Sequence, residues 1–223
     1  EVGGLWNNAP RNLLTLSPGQ WMEFAFYPLA QYAQEHSVDI DVNTLIKKTD
    51  LINYYHRIPG RFDVENSICT WSEVLQVKPH ERGFFVDSIH VKTGQKTSYT
   101  CKYLIYATGQ RARLRKLDIE GEDLPFVTQH YDRPEDLEGD RVLVVGGGRS
   151  GDWAATELHD AGKHVYYSMR QGSQIHWKLI NDSLYLPYYQ RIADILESKS
   201  ERCEPLYNTE IKRLDSSGLV QIS

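Results

Sequence analysis

The sequence predicts an α/β protein in which a three-layer β-α-β arrangement adjoins an antiparallel β-meander. Two observations carry this. Arg141-Val142-Leu143-Val144-Val145 is an apolar run of the kind found in strands buried on both faces, and a glycine cluster and a helix-periodic segment follow it. Upstream, Ser72–Val77, Phe84–Val91 and Thr97–Tyr106 are strand-like runs joined by short turns, which read as consecutive antiparallel strands.

Along the chain, the stretch to about residue 48 is aromatic and irregular, punctuated by Pro10, Pro18, Gly19 and Pro28. A helix is expected within 20–36, broken or kinked at Pro28. The pattern Leu51, Ile52, Tyr54, Tyr55, Ile58 predicts a short helix from Asp50 to Arg57, ended by Pro59-Gly60. Thr93-Gly94 marks the turn between the second and third meander strands. Residues 110–138 carry charges, Gly121, Pro125 and Pro134, show no sustained period and read as a connection. Trp153, Ala154, Ala155, Leu158 and Ala161 then follow helical spacing, and Gly162 sits where a helix ends. His164–Met169 is a second strand, and a hairpin is expected around Gly218.

Bulk properties exclude several classes. The 223 residues suffice for one large domain or two small ones. A net charge of −5 gives no basic face for nucleic acid. No apolar run approaches the roughly 18 residues that suggest a membrane span. Cys69, Cys101 and Cys203 are too far apart in sequence for a CxxC pair, and they fit a reducing, cytoplasmic setting. The chain begins at Glu1 rather than methionine, so an upstream segment, with any signal it carries, stays open.

The glycine cluster Gly146-Gly147-Gly148-Arg149-Ser150-Gly151 matches GxGxxG between a buried strand and an amphipathic helix, the context of a Rossmann-like dinucleotide site. Gly146 is expected to allow the tight turn, and Gly148 to let backbone approach a pyrophosphate. Gly151 would let helix and strand pack closely. The pyrophosphate would meet free N–H groups at the helix N-terminus, favoured by its dipole. Sites for NAD place an acid at the end of the second strand. Here Tyr167-Ser168-Met169-Arg170 has none. Arg170 offers a planar fork for a 2′-phosphate and Ser168 a hydroxyl, so NADPH is the expected coenzyme, with a plain surface arginine as the alternative.

Val144 to Asp152, the helix ending Glu157-Leu158, and Lys163 to Arg170 resemble the NADPH motif of flavin-containing monooxygenases. Gly3-Gly4-Leu5-Trp6 resembles the segment after the first FAD-binding β-α-β unit of flavoproteins with two dinucleotide-binding domains. Tyr103-Leu104-Ile105-Tyr106-Ala107-Thr108-Gly109 resembles their strand and ATG turn at the crossing between domains. The three segments span residues 3–170 in matching order. The resemblance implies an FAD- and NADPH-dependent oxidoreductase in which NADPH reduces FAD and the reduced flavin activates O₂. It also implies cofactor contacts at Gly4, Trp6, Ala107, Thr108, Gly109, Gly146, Gly148, Arg149, Ser150, Gly151, Ser168 and Arg170. The implied division is a partial FAD-binding domain over 1–118, a connection over 119–138 and an NADPH-binding domain over 139–223.

Departures shape the reading. The first GxGxxG and the returning C-terminal FAD segment are absent, so a partial flavoenzyme that holds FAD poorly by itself is expected. The signature FxGxxxH is incomplete, with Phe126 before His130 but no matching glycine. Gly121 to Pro125 and the Tyr54-Tyr55 pair also resemble thioredoxin-reductase-like flavoproteins without CxxC, bacillithiol-disulfide reductases among them. A flavin reductase and a non-catalytic NADPH-binding module therefore stand as alternatives. A small-molecule substrate is expected, with no metal, and a homo-oligomer stays open. No catalytic residue is assigned. His130, Tyr131 and His176-Trp177 are read as either structural or cofactor-facing. Trp21, Phe24, Phe26 and Tyr27 are core or a substrate wall, and Arg111, Arg113, Arg115 and Lys116 are a solvated loop or a phosphate contact.

Overall fold

The computed structural model describes residues 2–109, 116–174, 178, 181, 182 and 186–223. The chain divides into two compact units, Glu1–Asn8 with Ile52–Arg111, and Ala9–Leu51 with Ala112–Ser223. This grouping differs from a division at residue 118, because residues 9–51 go with the C-terminal half.

The first elements are β1 (Leu14–Pro18), α1 (Leu29–His36), β2 (Leu45–Lys47) and α2 (Lys48–Arg61). β1 and β2 pair antiparallel. Pro28 caps α1 rather than breaking a longer helix, since its fixed φ suits the position before the first turn. In contrast to the expected stop at Pro59-Gly60, α2 runs through Pro59 to Arg61. Proline forfeits one N–H bond, and late in a helix the remaining bonds carry on: Phe62 N–H reaches the Ile58 carbonyl at 3.2 Å and Val64 N–H the Pro59 carbonyl at 3.0 Å.

In the unit that contains residues 52–111, β3 (Ser72–His80), β4 (Gly83–His90) and β5 (Lys96–Cys101) form the expected meander in order β3-β4-β5. Gly94 takes φ +73° in the turn, and its N–H returns to the His90 carbonyl at 2.8 Å. The third strand stops at Cys101, short of the expected Tyr106. Phe84 lies opposite Cys101 and β4 begins at Gly83, so the chain beyond Lys102 has outrun its partner. Tyr103, Ile105 and Tyr106 are exposed.

The other unit holds a parallel sheet of β6 (Arg141–Val145), β7 (His164–Met169) and β8 (Cys203–Tyr207), in that order. Helices α3 (Arg149–Asp160) and α4 (Gln190–Glu197) accompany it, and an antiparallel hairpin of β9 (Ile211–Leu214) and β10 (Val220–Ile222) turns at Gly218. α3 ends as the sequence predicts. Gly162 takes φ +89°, its N–H bonds to the His159 carbonyl at 3.0 Å, and Lys163 N–H bonds to Leu158 at 3.0 Å, which satisfies two orphan carbonyls. The core joins Val144, Val165, Tyr167 and Met169 from the sheet with Ala154, Ala155 and Leu158 from α3 and Ile192, Ile195 and Leu196 from α4. The two alanines let α3 lie close to the strands, and burying Leu158 alone stabilises by about 2 kcal/mol.

No described helix is long and apolar enough to cross a membrane.

Candidate functional site

The turn from β6 to α3 is shaped by three glycines in different ways. Gly146 takes φ +113°, which an L side chain rarely adopts, and its N–H donates to the Ser168 carbonyl at 2.9 Å, tying the turn to β7. Gly151 sits where a Cβ would come within 1.9 Å of the Gly146 carbonyl oxygen, so only glycine lets helix and turn meet. Gly148 has an ordinary φ of −116°, and a Cβ there would meet nothing within 4 Å. Protein packing therefore does not require glycine at 148. The space beside it is open, which fits a ligand approaching the backbone.

The first bond inside α3 runs from Asp152 N–H to the Gly148 carbonyl at 2.8 Å. The N–H groups of Arg149, Ser150 and Gly151 precede it and have no acceptor in their own helix, which suits an anion at this end. Arg149 and Ser150 are exposed. One turn in, Asp152 is buried and accepts the Tyr167 hydroxyl at 2.5 Å, bolting α3 to β7. Burial pushes the Asp152 carboxyl up, against the lowering effect of the Tyr167 bond and of Arg149. Burial, then the neighbouring Asp152, raises the Tyr167 phenol.

At the carboxyl end of β7 the two residues expected at the coenzyme part ways. Arg170 is exposed. Ser168 is 2% exposed and its hydroxyl lies 2.8 Å from Thr209 Oγ1. Because Thr209 donates its own proton to the Leu206 carbonyl at 2.8 Å, Ser168 must be the donor between them. The hydroxyl expected to face a 2′-phosphate is engaged in the interior, holding β7 to the loop after β8.

Glu157, further along α3, gathers three donors that the sequence did not reveal. Asn12 Nδ2 reaches one carboxylate oxygen at 2.9 Å, while Trp153 Nε1 and Tyr131 Oη reach the other at 2.7 and 3.0 Å. Burial, then Glu157, raises the Tyr131 phenol. Tyr131 thus has a structural partner, and His130 is exposed with its backbone held by Thr128. A cavity of about 320 Å³ flanks this face of α3, lined by Asn12, Trp153, Glu157, Tyr188 and Arg191 among others.

In the unit with the meander, Gly4 begins a short 3-10 turn, with φ +52°, that carries a half-buried Trp6. Ala107, Thr108 and Gly109 are exposed and lie outside regular structure, with Gly109 at φ +69°. Of the N-terminal aromatics, Tyr27 is buried core, whereas Trp21, Phe24 and Phe26 are exposed. His176-Trp177, Arg111, Arg113 and Arg115 lie outside the described residues. Lys116 pairs with Glu122 at 3.2 Å. Cys69, Cys101 and Cys203 are all free thiols, and burial pushes the Cys203 thiol up to about 11.

The glycine elbow and its strand-helix-strand frame belong to a sequence profile that covers nearly the whole chain, that of the pyridine nucleotide-disulphide oxidoreductases, which matches residues 1–222. The chain is a member of this family. Among curated relatives of this pyridine nucleotide-disulphide oxidoreductase chain, the probable indole-3-pyruvate monooxygenase YUCCA3 of Arabidopsis thaliana is 28% identical over 78% of the chain and 39% of its own length. The dimethylaniline monooxygenase [N-oxide-forming] 2 of Cavia porcellus is 22% identical over 82% of the chain and 36% of its own length. The chain thus spans well under half of either relative. The fold is also that of the bacillithiol disulfide reductase Bdr (YpdA) from Staphylococcus aureus, with a TM-score of 0.71 at 20% identity, over 98% of this chain and 62% of that one.

Proposed function

We propose that this chain is the NADPH-handling part of an FAD-dependent oxidoreductase, and that the whole protein is a monooxygenase of the flavin-containing kind acting on a small molecule in the cytoplasm. The observation that carries the coenzyme reading is the pairing of an open elbow at Gly148 with an exposed Arg170 just past β7, a strand whose end has no acid in sequence, although Glu210 lies within electrostatic reach of Arg170. The monooxygenase reading is supported by the two curated relatives, both named as such.

NADPH, when bound, supplies a hydride for a flavin, which in turn meets O₂ or another acceptor. This chain's own part is to bind and orient. The N–H groups of Arg149, Ser150 and Gly151 face the diphosphate, with no Cβ at Gly148 to hold it off. Arg170 takes the 2′-phosphate through its guanidinium fork. The Asp152–Tyr167 bond keeps α3 and β7 in register so that both anion sites stay at a fixed separation. Gly4, Trp6, Ala107, Thr108 and Gly109 are assigned to the FAD side on the strength of their motifs. Within this chain the cysteines form no CxxC pair, and Cys203 is buried with its thiol pushed up to about 11, so none of these residues supplies a dithiol centre.

The test is a calorimetric titration of the protein with NADPH and NADH. Losing a charge-assisted contact of about 1.5–3 kcal/mol should weaken NADPH binding by about 10- to 100-fold in Arg170→Ala and leave NADH within about two-fold. An unchanged preference in the variant rejects the assignment. NADPH-dependent O₂ uptake matched mole for mole by an oxygenated product separates monooxygenase from reductase.

A further inference from the structure

Arg149 is the first residue of α3, and two aromatic rings lie against it, one of them backed by a third. Tyr188 and Tyr189 lie in a short 3-10 turn (Pro187–Tyr189) that leads into α4. The Arg149 guanidinium carbon sits 5.9 Å from the Tyr188 ring centre and 5.6 Å from that of Tyr189. The two tyrosine rings are perpendicular, with centres 5.3 Å apart, so they form a corner around the cation. Tyr188 also stacks on Trp153 at 5.8 Å and 24°, and its hydroxyl donates to the Arg149 carbonyl at 3.1 Å.

The spacing explains why this works. Arg149 and Trp153 are four residues apart and share one face of α3, so one ring can lie against both. Trp153 is itself held by its bond to Glu157, a further turn along. Tyr188 is therefore braced from behind by a ring that cannot swing, and Arg149 rests on a rigid surface. An unbraced arginine on an exposed helix end keeps most of its rotamers and loses that freedom on binding an anion. Both rings lie at cation–π distance, and Tyr189 also hydrogen-bonds the guanidinium; with five N–H donors, the group keeps others for an anion.

We infer that Tyr188, with Tyr189, is a positioning residue of the nucleotide site, pre-setting Arg149 to clasp the coenzyme diphosphate. This rests on the coenzyme reading above. The diphosphate is common to NADPH and NADH, so the Tyr188 effect acts on both coenzymes, whereas Arg170 acts on NADPH alone.

Dissociation constants for NADPH and NADH, measured by calorimetry on the full chain, test this with Tyr188→Leu, Arg149→Met and the double variant. Tyr188→Leu should weaken both coenzymes by about 5- to 10-fold, the scale of a stacked cation plus lost pre-ordering. In the Arg149→Met background the same substitution should change neither by more than about two-fold. Equal losses with and without Arg149 would mean that Tyr188 serves the fold only, and would overturn the inference. Arg149→Lys guards against a Tyr188 variant that fails to fold, because it is an exposed change that keeps the charge and discards the planar, five-donor guanidinium. It should weaken both coenzymes as Tyr188→Leu does, and wild-type affinity in Arg149→Lys would overturn the inference. If Arg170→Ala weakens NADPH and spares NADH while Tyr188→Leu has no effect, this inference alone fails. If the wild-type chain binds neither coenzyme, the underlying reading fails with it.

Discussion

Gly151 lies against Gly146 so closely that a Cβ on the first would stand 1.9 Å from the carbonyl oxygen of the second. Two residues of one GxGxxG motif are thus in contact across the turn, and the third, Gly148, touches nothing where its Cβ would be. The motif combines one position that serves the fold with one that the fold leaves free.

Alanine at the two positions should separate those roles. Gly151→Ala forces the helix away from the turn and should cost about 2–4 kcal/mol, seen as a fall in Tm of about 4–16 °C. Gly148→Ala should leave Tm within about 2 °C, since its φ is ordinary and the space is empty. It should nonetheless weaken NADPH by at least about 10-fold, because a methyl then occupies the pyrophosphate's approach. Parallel melting and titration of the two variants check both halves, and a Gly148→Ala protein that binds NADPH normally contradicts the site.

Asp152 makes stability depend on pH in a stated direction. Burial raises its carboxyl above the ordinary value despite the Tyr167 bond. A carboxyl with a raised folded pKa binds its proton more tightly in the native state. Its stabilising contribution is complete below the unfolded value of about 4 and is lost as pH rises through the folded pKa. Asp152→Asn keeps an acceptor for Tyr167 and cannot ionise. The Tm of the variant minus that of the wild type should therefore become more positive between pH 4 and pH 7. A difference that shrinks over this range would show the carboxyl to be stabilised by ionisation instead.

Glu157 should prove a stability residue rather than a catalytic one. Removing its carboxylate in Glu157→Ala strands the Trp153 indole N–H and the half-buried Tyr131 hydroxyl. A cost of about 2–3 kcal/mol follows, visible by denaturant titration. Glu157→Gln retains an acceptor and should recover at least half. Because Trp153 braces Tyr188, Glu157→Ala should also blunt coenzyme binding, by less than Tyr188→Leu does.

Local features of this chain were readable before any coordinates. The run at 141–145, the elbow, the helix through Leu158, its Gly162 stop and the hairpins at Gly94 and Gly218 all depend on near neighbours, through periodicity, left-handed φ and capping bonds. Other features depend on distant partners. Whether the strand after Lys96 reaches Tyr106 turns on where β4 begins, and nothing in Tyr103–Tyr106 records that. Pro59 signals a stop, yet the bonds on either side of it carry α2 past the gap. Ser168 carries a hydroxyl at a position where coenzyme sites often have one, and only its distance to Thr209 reveals that the proton is already committed.

What the sequence determined by itself is a nucleotide-type β-α-β unit, its glycine turn and the lack of an acid at the end of β7, because each of these is set by residue type within a few positions of chain. Tertiary structure decided which groups are offered to a ligand and which are held inside. It joined Asn12 and Tyr131 to Glu157 and placed Tyr188 on Arg149. Such contacts bridge as many as 145 positions, and their geometry exists only once the core has packed.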